Sequence, residues 1–143
     1  MDKLKGFRDF LIENREIIES RFHMGFVSKD VTHNNDESQL FLININNPNH
    51  KGCLIGWCRV FLGSGENKNT LTQVFYDWES ILDSSRKREY LSSNIWAMHP
   101  ETTTLDHALK RIQRVLDGEL IGHIKWEYKK ECKRLNIEEK WQD

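Results

Sequence analysis

The stretch Cys53 to Leu62 reads CLIGWCRVFL, and its reading decides the fold class. Nearly every residue is apolar, which suits a central β-strand covered on both faces. Cys53 and Cys58 lie five apart, an odd offset that points them to opposite sides of such a strand. They therefore cannot chelate one metal while the strand stays regular. Cys132 falls on an expected helix, and all three thiols read as small apolar fillers. An odd cysteine count fits a reducing compartment.

Upstream, Asn46-Asn47-Pro48-Asn49-His50-Lys51-Gly52 is a dense turn signal. Before it, Ser38 to Asn46 (SQLFLININ) alternates and reads as the partner strand of an antiparallel hairpin. Residues 28–37 (SKDVTHNNDE) are polar and turn-rich, an exposed loop in which Asp30, Asp36 and Glu37 form no EF-hand pattern. A further strand near residues 22–32 would make a fourth. At the start, Leu4, Phe7, Leu11, Ile18 and Phe22 form one stripe, with Phe10 and Ile17 beside it. That spacing predicts a helix from about residue 3 to residue 21, with Asp2 as its cap.

Downstream, residues 63–69 (GSGENKN) form a connector without the lysine-serine ending of a phosphate loop. Leu71, Val74, Phe75, Trp78, Ile81 and Leu82 then follow helical offsets behind a Thr70 cap. Ser84 to Arg88 reads as a solvated turn. Ser93 to Met98 reads as a short strand that ends at His99-Pro100. Leu105, Ala108, Leu109, Ile112, Val115 and Leu116 predict a helix capped by Thr104 and stopped at Gly118. A last helix carries Leu120, Ile121, Ile124, Tyr128, Cys132 and Leu135, and a charged tail holds Trp141. The expected fold is α+β: a small antiparallel sheet of three or four strands backed by four helices, ending in a helical hairpin. Residues 1–143 would form a single globular domain.

Five Trp, seven Phe and three Tyr supply core material, which argues against intrinsic disorder. Twenty-one basic and 22 acidic residues leave a net charge of -1, which excludes a generally basic nucleic-acid coat and a strongly acidic DNA mimic. Met1 to Phe22 alternates charged and apolar residues with no signal-peptide-like apolar core, and no segment is apolar enough to span a bilayer. A soluble, cytoplasmic protein is expected.

Six histidines are present, and none stands in a zinc-binding pattern. His99, His107 and His123 crowd the last third, where a two-histidine acid–base site would need one neutral and one protonated ring at a phosphate. No catalytic dyad is legible among the carboxylates either. No catalytic, metal or cofactor residue is assigned.

Two helix faces have chemical direction. Tyr76, Asp77, Glu79 and Asp83 form an acidic face with an aromatic. His107, Lys110, Arg111 and Arg114 form a basic face. Trp126, among Lys125, Lys129 and Lys130, points away from the apolar stripe of its helix, either packing under another element or standing as an exposed anchor. The leading expectation is a small non-catalytic binding protein of bacterial immunity or antitoxin type. It would occlude the active site of a basic toxin domain with Tyr76, Asp77, Glu79 and Asp83. The alternatives are a small His-dependent hydrolase or nuclease and, less favoured, a nucleic-acid-binding regulator that uses the basic face.

Overall fold

Cys53–Leu62 is a helix rather than a strand. The computed structural model describes residues 2–32, 40–65 and 67–141, and helix α3 spans Leu54–Leu62. Every residue from Leu54 to Arg59 is buried. A helix that is apolar all round belongs in a core. It leaves no polar face from which a helical period could be read, so a short apolar run fits helix and strand alike. The helix ends in a Schellman motif: the Gly63 amide donates to the Val60 carbonyl and the Ser64 amide to that of Arg59. Gly63 has φ 70°, a conformation that favours glycine.

Gly56 lets α3 lie directly against backbone. A Cβ at this position would sit 2.0 Å from the Val27 carbonyl oxygen, and one at Gly52 would sit 2.2 Å from the same atom. The segment before α3 is thus pressed flat on its surface. Only two short strands occur among the described residues, β1 (Lys29–Asp30) and β2 (His50–Lys51), antiparallel with Lys29 opposite Lys51 and Asp30 opposite His50. One lies in the expected 28–37 loop, at the place suggested for a fourth strand, and the other within the turn signal. Residues 40–46 are irregular rather than a strand; Ser38 and Gln39 of that expected strand fall outside the described residues. Arg21, itself buried, holds this segment by donating to the carbonyls of Asn44, Ile45 and His50 at 2.7–2.9 Å. Its guanidinium lies 5.1 Å from the Trp57 ring centroid. Asn44 and Asn47 accept from backbone amides two residues on, the turn chemistry that Asn supplies.

The expected strand at Ser93–Met98 is instead a 3₁₀ helix, Asn94–Met98, capped by Ser93. The chain is therefore mostly helical, and an antiparallel sheet of three or four strands backed by four helices does not describe it. Seven α-helices lie among the described residues. The first expected helix is broken: α1 (Asp2–Glu13) stops before Asn14, and α2 (Arg15–Ile18) passes into a 3₁₀ turn, Glu19–Arg21. Helix α4 (Leu71–Glu79) has the Thr70 cap, whose hydroxyl accepts from the Gln73 amide. An additional helix, α5 (Ser85–Ser92), occupies the basic stretch expected to be a turn; Ser84 caps it. Helix α6 spans Leu105–Leu116 and α7 spans Ile124–Leu135.

Helix α3 packs against α1, α4 and α5, and α5 also packs against α6 and α7. All three cysteines are buried free thiols. Among the described residues, no helix is long and apolar enough to cross a membrane.

Substituting Gly56→Ala will cost about 3 kcal/mol in chemical denaturation, because its methyl meets an immobile carbonyl. Gly65→Ala, with nothing within 4 Å of the added carbon, will stay within about 0.5 kcal/mol of the wild type.

Candidate functional site

Helix α4 buries Val74 and Trp78, with Ile81 and Leu82 beyond its end. Asp77 also turns inward. Its Oδ2 accepts from Arg59 Nε at 3.2 Å and from Ser64 Oγ at 2.8 Å, and its Oδ1 from Gln73 Nε2 at 3.2 Å. Arg59 is only 1% exposed, and its Nη2 also donates to the Lys68 carbonyl and to Asn69 Oδ1. A buried guanidinium on α3 requires a carboxylate, and α4 supplies one only by turning Asp77 toward it. Asp77 is thus a brace between α3, α4 and their connecting loop, and not part of an open acidic face.

That rotation carries two expected core residues outward. Leu71 is 58% exposed and Phe75 46%, beside Tyr76 at 66%. Glu79, on the last turn, and Asp83, beyond the helix end, are also exposed and line one pocket, with Asp83 3.4 Å from Lys87 Nζ. The outer surface of α4 is consequently an apolar and aromatic strip leading into two carboxylates. Leu71 and Phe75 were missed because their offsets match the core stripe. The one available signal was Arg59 in an otherwise apolar run, which demanded a counter-charge nearby.

The basic face of α6 is divided in the same way. Lys110 is exposed and paired with Asp106 at 3.2 Å, a contact that holds the Asp106 carboxyl below its ordinary value. Arg111 is 2% exposed, a correction to its expected place on the solvated face. Its guanidinium lies 3.8 Å from the Trp96 ring centroid and its Nε donates to Glu131 Oε2 at 3.0 Å. Glu131 is bonded in turn by Arg134. Arg114 reaches Glu119 at 2.5 Å, Glu127 at 3.1 Å and the Tyr90 hydroxyl at 2.7 Å. Burial, together with the charge on Glu131, pushes the Tyr90 hydroxyl up to about 12. Two of the four expected surface cations therefore knit α5, α6 and α7 together.

The three late histidines serve separate local roles. His99 is buried, with Nε2 2.7 Å from Tyr128 Oη and Nδ1 3.5 Å from Glu101. The same Tyr128 hydroxyl accepts from the Lys140 amide at 2.6 Å and so ties down the tail. Trp141 is partly buried, its ring 5.9 Å from that of Tyr128. His107 is shifted down by burial and by Arg111 and Lys110, and its Nδ1 sits 2.7 Å from the Thr104 hydroxyl. His123 caps α7. Burial pushes the thiols of Cys53, Cys58 and Cys132 up, away from the reactive thiolate. Among the described residues, no group of three or more His, Cys, Asp or Glu is placed to hold a metal.

Trp126 is exposed on α7, 69% open to solvent, so it is not packed beneath another element. Comparison of the chain with protein-family models, curated proteins and solved structures gave no match.

Burial alone would raise Glu131, but Arg111 and Arg134 overcome it and hold the carboxyl below its ordinary 4.5. Its stabilising contribution is thus complete above about pH 4.5 and is lost as the pH falls through the depressed folded value. Glu131→Gln will cost about 3 kcal/mol at neutral pH by stranding Arg111. The variant's unfolding free energy will also fall less steeply than the wild type's below pH 4.5 in urea titrations.

Proposed function

We propose that this protein binds another protein through the outer surface of α4. In this reading it is an immunity or antitoxin protein that occludes a basic toxin domain. The observation that carries the reading is the exposure of Leu71, Phe75 and Tyr76 on one helix face, continuous with Glu79 and Asp83. Large apolar side chains left in water on a small domain mark an interaction surface. Tyr and Phe are effective anchors, because they bury large area at low conformational cost. The two carboxylates select a cationic partner and speed its approach, and toxin nuclease sites, which must hold phosphates, are cationic. The Arg59–Asp77 brace supports the reading, since a helix fixed before contact loses little entropy on binding.

Tyr76→Ala combined with Glu79→Lys and Asp83→Lys tests the proposal without touching the Asp77 brace. Immobilised wild-type protein will retain a stoichiometric basic polypeptide from host lysate and suppress that polypeptide's toxicity on co-expression. The triple variant, with an unchanged melting temperature, will lose both, the tyrosine alone costing about 2 kcal/mol. Equal protection by the variant rejects α4 as the interface. An acidic partner, or none, rejects the reading.

A further inference from the structure

Two clefts open beside each other along α7. One, of about 460 Å³, is lined by Lys110, Arg114, Glu119, Lys130, Glu131 and Arg134. The other, of about 560 Å³, is lined by Lys125, Trp126, Lys129 and Lys130. Lys130 lines both, so they form one continuous strip. Six cationic side chains and two carboxylates border it; with Asp106 and Glu127, which pair with Lys110, Arg114 and Lys130, counted as well, cations still exceed carboxylates by two on a chain whose net charge is -1. The carboxylates engage both arginines. Glu119 at 2.5 Å and the buried Glu127 hold Arg114 in place, and the largely exposed Arg134 pairs with Glu131. Behind Glu131, the buried Arg111 adds a further fixed cation, whose Nη2 has no hydrogen-bond partner among the described residues.

The strip therefore joins an exposed aromatic plate to a row of positioned cations. A ligand that fits both parts must offer flat rings and negative charges in alternation. Duplex DNA presents the charges but hides its base faces. An acidic peptide presents charges without obligatory rings. A bilayer surface is too flat to enter clefts on both sides of Lys130. Single-stranded nucleic acid meets every requirement, with a base stacked on Trp126 and phosphates along Lys129, Lys130, Lys110 and the two arginines. We propose that the α6–α7 strip is a binding surface for a single-stranded oligonucleotide. This surface is separate from α4 and does not depend on the proposed toxin partner.

Fluorescence anisotropy of the full chain with a labelled oligothymidylate of about twelve nucleotides tests the assignment, the length matching the site sizes such grooves occupy. The oligonucleotide will bind more tightly than a duplex of equal length, and affinity will fall steeply between about 50 and 200 mM salt. Trp126→Ala, at an exposed position, will keep the melting temperature and weaken binding about tenfold. Lys129→Glu with Lys130→Glu will abolish binding, while the α4 triple variant will bind as the wild type does. No saturable binding overturns the proposal. So does an unchanged affinity in Trp126→Ala, which would reduce the strip to charge alone. Equal or tighter binding of duplex, polyglutamate or phosphatidylserine vesicles assigns it to another partner and likewise overturns it.

Discussion

The structure depends on covering α3 on every side. A helix with no polar face cannot be a surface element, so the rest of the chain must be arranged around it. Helices α1, α4 and α5 supply part of that cover. The irregular segment before α3 supplies another part, and it approaches closely enough that Gly56 and Gly52 must lack side chains. A segment with so little regular structure still has backbone groups to satisfy. Arg21 meets that demand, its single guanidinium binding three carbonyls in place of a β-ladder.

Buried arginines recur at the helix junctions. Arg59 meets Asp77 between α3 and α4, and Arg111 meets Glu131 between α6 and α7. Such pairs gain little net stability over apolar packing of the same shape, but breaking one strands a charge in the interior. Their structural consequence is to set helix rotation. Each fixes which residues of its helix face outward, and so determines the surface offered to a partner.

The resulting molecule is chemically two-sided. Helix α4 offers Phe75 and Tyr76 leading into carboxylates; α7 offers Trp126 leading into lysines. The near-zero net charge averages these two regions away. An argument from total charge excludes a uniformly basic coat and yet says nothing about a local strip where cations outnumber carboxylates.

The amphipathic helices could be read from the sequence itself. Thr70 and Thr104 act as the caps their positions imply, and the stripe of Leu105, Ala108, Ile112 and Val115 is buried as its spacing requires. One polar and one apolar side define a helix locally, whatever lies around it. The turn chemistry at Asn47 was legible for the same local reason, whereas that of Asn44, within the expected strand, was not. Tertiary structure alone decided the rest. CLIGWCRVFL carries no periodic contrast, so only its surroundings make it a helix. Ser85–Ser92 is too polar to announce itself, and it is held by its Ser84 cap and by packing against α3, α6 and α7. The candidate surfaces depended on pairings remote in sequence. Asp77 turned inward to meet Arg59, and Arg111 sank between Trp96 and Glu131. A helical pattern specifies which residues share a face; the partner across the interface determines which way that face turns.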